Sequence, residues 1–468
     1  MTDTVLAGAV EPVVLEQPGT LARSLSPRHV AMIAIGGIIG AGLFVGSSTA
    51  IATVGPAVIV SYLIAGIIVL LVMRMLSEMA MAVPGQKSFA EFARLGLGDW
   101  AGFLCGWLYW YFWVVVVAIE AIAGAVIIHQ WLPAVPVWQI GIALMALLTA
   151  VNLMSARAYG EFEFWLSSIK VAGIVAFIAV AAGYAFGVGA PNGPTFGNLT
   201  VHGGFVPHGW GAVLAGVTSV IFALTGAEIA TVAAAESSAG ERVIARMSLT
   251  VALRILVFYV LSIALIVSVM PWTDIRPGYS PFASALATVG IPAAETIMNV
   301  IVLVAVLSCL NSGLYVTSRI AFALASHDEA PRALVRVGRG GVPTRAILIG
   351  SLFSYAALAA SILSPEQVFS FLVNSSGATM IAIYLMIAVS QLRLRARLDR
   401  EAPSQLSIRM WWHPWGSLAA IAAMVAVLIA MALTPALANQ FHASIAVIVA
   451  VALAYLPVRA ARNRRSQP

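Results

Sequence analysis

Residues 29–56 read HVAMIAIGGIIGAGLFVGSSTAIATVGP, and the fold turns on how this stretch is read. About 20 apolar residues cross a bilayer, so the stretch is long enough to do so. Its middle carries Gly36, Gly37, Gly40, Gly42 and Gly46. Each glycine costs a helix roughly 1 kcal/mol against alanine, so a helix here can come apart at Gly40-Ala41-Gly42. Two readings stand side by side. Gly36/Gly40 and Gly42/Gly46 fit the GxxxG spacing that lets two membrane helices approach closely. In the other reading the helix is interrupted, which hydrocarbon tolerates only where the open backbone faces protein or a water-filled cavity. The break then offers N–H donors on one half-helix and carbonyls on the other, a pair suited to the carboxylate and ammonium of a zwitterion.

Working outward, the whole chain fits a membrane. Its 468 residues are 61% hydrophobic and 9% charged, with a mean hydropathy of +0.97. Soluble domains carry about 25% charged residues, so the composition predicts an all-α polytopic membrane protein with the lipid bilayer as its surroundings. The first 28 residues are polar and show no signal-peptide core, so no cleavable leader is expected. Cys105 and Cys309 lie in apolar runs and read as free, buried thiols. The net charge of +6 bears on topology and gives no reason to expect a nucleic-acid partner.

Apolar runs predict twelve spans, near 30–53, 56–82, 100–130, 136–156, 161–187, 210–234, 248–270, 292–325, 344–362, 366–391, 414–433 and 440–457. Arginines and lysines fall on one side of this arrangement: Arg23, Arg28, Lys87, Arg94, Arg157, Arg242, Arg246, the run from Arg332 to Arg345, the run from Arg393 to Arg409, and Arg459 to Arg465. The other side has only Arg276. The positive-inside rule puts both termini in the cytoplasm, and an even span count agrees with that. The localisation expected is a cell inner membrane.

A second interrupted span is expected at residues 210–236, WGAVLAGVTSVIFALTGAEIATVAAAE, where Thr225-Gly226-Ala227 precedes Glu228. Span one starts inside and span six starts outside, so spans 1–5 and 6–10 are one unit in two orientations. Interrupted spans opening two inverted halves point to a secondary-transporter site. The predicted organisation is a cytoplasmic tail (1–28), a first five-helix repeat (29–190), an inverted second repeat (208–392), helices 11 and 12 (411–457) and a basic cytoplasmic tail (458–468).

An ionisable group deep in a bilayer costs at least about 2.5–3.5 kcal/mol, so each needs a reason. All seven histidines and every aspartate lie in loops or at span ends, which removes the usual ingredients of a metal site or a membrane enzyme. No cofactor is expected. Lys170 lies roughly 14 Å from the inner end of span five. It either snorkels or gives up its proton readily in a low-dielectric site and takes part in coupling. Glu120 lies about 16 Å from the outer edge of span three. It either holds a proton that is carried or is a protonated acid bonded to a neighbouring helix. Glu228 follows the break in span six and carries a proton or braces open backbone. Phe222, just ahead of that break, is placed as a lid over a ligand. Most of the aromatic run Trp107, Tyr109 to Trp113 is expected to face lipid or to pack. Arg74 and Glu78 are expected to form an i,i+4 ion pair at the inner edge, and Arg319, ahead of Asp328, to behave likewise. Ser308, Asn311 and Ser312 give span eight a polar stripe that faces a cavity or glues helices together.

Several separated stretches carry a resemblance. IGGIIGAGLFVGS, GPAVIVSYLIAGIIVLLVMRMLSEMA, GEFEFWLSSIKV, FALTGAEI and SCLNSGLYVTSR occur in the order seen in amino acid permeases of the amino acid–polyamine–organocation (APC) superfamily. Within it, GWLYWYFWVVVVAIEAIAGA and SSGATMIAIYLMIAVSQLRLR resemble bacterial 4-aminobutyrate (GABA) permeases. The resemblance implies the 5+5 inverted repeat with interrupted helices 1 and 6, a substrate held at their open parts, and a proton as the usual driving ion. It implies that Gly40, Ala41 and Gly42 form the carboxylate-binding turn. The carbonyls of Phe222, Ala223 and Leu224, beside Thr225, would hold the amine, with Phe222 as gate. Lys170 matches the lysine that stands where sodium-coupled relatives bind their ion.

The expected function is import of GABA or a similar small zwitterion by a proton-coupled symporter working by alternating access, as a monomer or weak oligomer. Its rivals are a permease for another amino acid, such as proline, an aromatic or a small neutral one, and an amino acid antiporter. A channel is disfavoured by the lack of a filter-like repeat.

Overall fold

The computed structural model describes residues 39–83, 88–154, 156–226, 228, 255–338, 341–360, 362 and 364–465. The N-terminal tail, the first part of span one with Gly36 and Gly37, Lys87, Ala227, the second part of span six, Arg242, Arg246, the start of span seven and Arg339 lie outside these residues.

Among the described residues, twelve apolar helices follow in the predicted order. They are α1 (Gly42–Val54), α2 (Val58–Ala82), α3 (Asp99–Trp131), α4 (Val137–Met154), α5 (Ala156–Ala185), α6 (Gly209–Leu224), α7 (Ile255–Val269), α8 (Ala294–Ser326), α9 (Thr344–Ala360), α10 (Pro365–Glu401), α11 (Trp415–Leu433) and α12 (Ala438–Arg465). α10 and α12 run past the hydropathy pattern at their C-terminal ends. α10 runs ten residues past 391, where charged side chains make hydropathy fall. Arg395–Asp399 and Arg397–Glu401 pair at i,i+4, the spacing that supports a solvated helix. α12 likewise continues through Pro457 into its arginines.

The packing mirrors the two-repeat organisation. The first helices of the halves, α1 and α6, touch each other. The third helices, α3 and α8, form the buried centre of the bundle, while α12 is largely exposed at its edge. Each half also places a short helix between its second and third spans, Phe89–Leu97 and Pro281–Val289. α11 packs on α6 and α10, and α12 on α10 and α3, outside the two fives.

The inner-edge ion pairs differ from expectation. Arg74 does not pair with Glu78. Glu78 is buried and accepts from Arg395 (2.7 Å), Gln391 Nε2 (2.7 Å) and the Met410 N–H, tying α2 to α10 and to the segment before α11. A buried carboxylate needs several donors at once, and one arginine a turn away along a wet helix edge cannot supply them. Arg74 instead donates to the Arg409 carbonyl (3.0 Å) and lies over the Trp411 ring. Arg319 is buried with its guanidinium 3.9 Å over the Tyr315 ring, and Asp328 pairs with Arg332.

Candidate functional site

α1 starts abruptly at mid-chain polarity. Gly40 is a bend, helical geometry begins at Ala41, and Gly42–Gly46 form a π-turn before the helix settles at Ser47. The first N–H groups of a helix have no partners within it, and π-turns recur at functional sites. The Ala41 N–H donates to the Glu120 carboxyl of α3, 2.9 Å from each oxygen. A carboxyl group therefore already sits on the positive end of α1, where the helix dipole favours it.

α6 ends as abruptly. Leu224 is its last helical residue, Thr225 is extended, and Gly226 has φ +124°, a backbone setting that glycine adopts at little cost. The last-turn carbonyls of a helix lose their helical donors. Thr225 serves Ile221 O with both its N–H (2.9 Å) and its hydroxyl (2.8 Å), and reaches Phe222 O only at 3.3 Å. Beyond the break, Glu228 turns back to accept from the Gly226 N–H (3.1 Å) and from the Tyr384 hydroxyl of α10 (3.3 Å). Glu228 thus bonds both to the open backbone and to α10.

The two interruptions meet. A Cβ on Gly42 would lie 2.8 Å from Ala223 Cα and 3.3 Å from a Phe222 ring carbon. A Cβ on Gly40 would lie 2.5 Å from a Glu120 oxygen and from Cys309 Cβ. Glycine at 40 and 42 is what allows α1 to approach α3, α8 and α6 this closely. Phe222 is buried against Phe112, with ring centroids 6.2 Å apart. Of the aromatic run on α3, Phe112 alone reaches Phe222 in this way, while Tyr109 and Trp113 pack beside it.

A second polar cluster adjoins the first. Glu163, Ser167 and Lys170 share one face of α5, at spacings of four and three. Lys170 Nζ donates to Ser308 Oγ (2.6 Å), and Ser308 Oγ donates to Glu163 Oε1 (2.6 Å). Ser167 donates to the same oxygen at 2.8 Å, and Nζ stands 3.6 Å from it. Glu163 and Lys170 are both 0% exposed, so the ammonium is turned inward and does not snorkel. Ser308 precedes Cys309 on α8, and Cys309 and Glu120 both border Gly40. The two clusters therefore adjoin at Ser308 and Cys309 of α8. Asn311 on the same stripe accepts from Asn152 of α4 (2.8 Å).

Gly40, Ala41, Gly42, Glu120, Phe222 and Ala223 thus converge. Leu224, Thr225 and Glu228 follow at the end of α6, and Lys170 joins through Ser308. Sequence reasoning missed Cys309, Tyr384 and Glu163. For Glu163 a signal existed, because a Glu, a Ser and a Lys at i, i+4 and i+7 mark one helix face.

The geometry agrees with what the chain is similar to. The amino acid permease family model matches residues 29–467. The gamma-aminobutyric acid permease of Bacillus subtilis (strain 168) is 46% identical over 440 residues, 94% of each chain. That of Escherichia coli (strain K12) is 43% identical over 426 residues, 90% of each chain. A crystal structure of a variant of the manganese transporter of Eremococcus coleocola superposes with a TM-score of 0.58. It covers 93% of this chain and 94% of that one at 13% identity, a likeness of fold alone. Twelve apolar helices, two facing interruptions and a family match along nearly the whole chain lead to one conclusion: this multi-pass membrane protein belongs to the amino acid permease family.

Proposed function

We propose that this permease imports GABA or a similar small zwitterionic amino acid together with a proton, by alternating access, across a cell inner membrane with both termini in the cytoplasm. The carrying observation is the Glu120 carboxyl on the Ala41 N–H. A substrate carboxylate needs that same helix start, and an ionised Glu120 competes with it for one donor and one dipole. Protonation removes the competing charge and lets the substrate carboxylate take the turn at Gly40, Ala41 and Gly42. The substrate ammonium then meets the end of α6 at Phe222, Ala223 and Leu224, beside Thr225, with Phe222 as lid. Proton and substrate are linked because one cannot bind well without the other. Lys170 and Glu228 are the other groups placed to hold protons or open backbone near the site. The names of the two relatives above support GABA as substrate.

A competition panel in proteoliposomes tests the reading: labelled GABA against unlabelled GABA, β-alanine, proline, phenylalanine and lysine. GABA and β-alanine are expected to compete best. Stronger competition by phenylalanine or proline would assign another amino acid. Uptake that occurs only with amino acid preloaded inside would make the protein an antiporter.

A further inference from the structure

We propose that Glu163 is the positioning counter-ion of Lys170, and that Glu163, Ser308 and Lys170 hold one proton as a unit. The inference rests on the proton-coupled reading above, in which Lys170 takes part. Glu163 lies in GEFEFWLSSIKV, but the resemblance implies no role for it.

The geometry carries it. All three side chains are 0% exposed. A buried cation is tolerated only when it is paired and hydrogen-bonded. Lys170 meets its carboxylate through one hydroxyl rather than directly, since Nζ–Oε1 is 3.6 Å while both bonds to Ser308 Oγ are 2.6 Å. Ser308 thus accepts from the lysine and donates to the glutamate, which is the arrangement of a proton relay. Glu163 Oε2 has no hydrogen-bond partner among the described residues, although it is buried. Buried carboxylate oxygens are seldom left so, and one that is left so is a place to receive a proton or a water.

The transfer balances without any other reagent. An N–H bond of Lys170 breaks as an O–H bond forms on Ser308 Oγ. The original Ser308 O–H breaks as an O–H forms on Glu163. An ion pair becomes a neutral amine and a neutral acid, and no net charge moves. In a low-dielectric interior the two forms are much closer in energy than in water, because the ion pair loses its solvation. Glu120 of α3 and Cys309 of α8 interact electrostatically with Lys170. Tyr259 is the titratable residue of the π-helical start of α7, Ile255–Leu261, which packs on α5. Among the described residues, the helix Pro281–Val289 and α4, also against α5, bring none.

The test is the pH profile of GABA uptake in proteoliposomes for Glu163→Gln, Glu163→Asp, Lys170→Gln and the double variant. Gln keeps an acceptor for Ser167 and Ser308 but removes the negative charge that faces the Lys170 ammonium. Glu163→Gln is expected to cut uptake at neutral pH at least tenfold, with recovery as the external pH falls by one unit or more. Glu163→Asp keeps the charge and restores most of the wild-type profile. In the Lys170→Gln background, Glu163→Gln is expected to change nothing further. A Glu163→Gln protein with the wild-type profile, or with uptake lowered equally at every pH, would overturn the counter-ion role and leave the wider reading intact. A Lys170→Gln protein that still concentrates GABA with a normal pH profile would instead refute the reading beneath it. Monodisperse elution of each variant in detergent separates both results from misfolding.

Discussion

Gly42→Ala is the most informative single change, because the structure gives its cost and its control. The new Cβ would lie 2.8 Å from Ala223 Cα, a backbone atom that cannot rotate away. Carbon atoms pack best at about 3.5–4.0 Å, so α1 and α6 would have to part by roughly 0.7–1.2 Å. Overpacking on this scale costs typically about 1–3 kcal/mol, which is roughly 5- to 150-fold in the equilibrium that brings the helices together. Gly46 lies one turn away on the same helix and has similar propensity, yet its added Cβ would meet nothing closer than 3.5 Å. Gly46→Ala is therefore the matched control. The assay is the half-saturating concentration for labelled GABA in proteoliposomes, normalised to inserted protein, with the melting temperature of each variant in detergent. Gly42→Ala is expected to weaken apparent affinity by that 5- to 150-fold, and Gly46→Ala by less than about threefold. If the two alanines behave alike, α1 and α6 do not enclose the substrate at Gly42. If Gly42→Ala only lowers the melting temperature, its glycine serves packing.

Other changes separate the roles of the buried polar groups. Lys170→Ala is expected to abolish uphill uptake while leaving exchange of internal for external GABA, as counterflow measurements would register. Glu120→Gln keeps an acceptor for the Ala41 N–H but no charge, so GABA affinity should become independent of pH between pH 5 and 8 while accumulation fails. An affinity that still falls as pH rises would place the titrating group elsewhere. Glu78→Ala removes the acceptor shared by Arg395, Gln391 and the Met410 N–H and leaves Arg395 with Asp399, a loss of buried hydrogen bonds of the kind that costs about 1–3 kcal/mol. It should lower the melting temperature and the yield in the membrane without altering the pH profile of the protein that survives.

Much of this architecture was legible from residue types. Twelve apolar runs gave twelve helices because a bilayer leaves the backbone no other way to satisfy its hydrogen bonds. Gly40 and Gly42 marked the start of α1, and Thr225-Gly226 the end of α6, through the conformations glycine permits. Glu120, Lys170 and Glu228 stood out because charge inside an apolar run needs a reason. What was not legible depended on distant partners. Glu78 selects Arg395, 317 residues away, over an arginine one turn away, because its burial demands several donors. Glu163 lies near the start of span five, where hydropathy cannot tell an interfacial glutamate from one turned inward against Ser308. Cys309 looked like any small apolar residue, and only its approach to Gly40 and Glu120 gives it a place at the site.

The central claim is that one proton travels inward with each zwitterion. Such a cycle moves one net charge, and at 100 mV inside-negative it is driven by about 2.3 kcal/mol, enough for roughly fifty-fold accumulation with no pH gradient. The direct measurement is the steady-state ratio of internal to external GABA in proteoliposomes held at a set potassium diffusion potential, with equal pH on both sides. The account predicts a ratio that climbs toward about fifty at 100 mV and collapses to one when a protonophore and a potassium ionophore are added together. A ratio that stays at one across the whole range of potentials would contradict it.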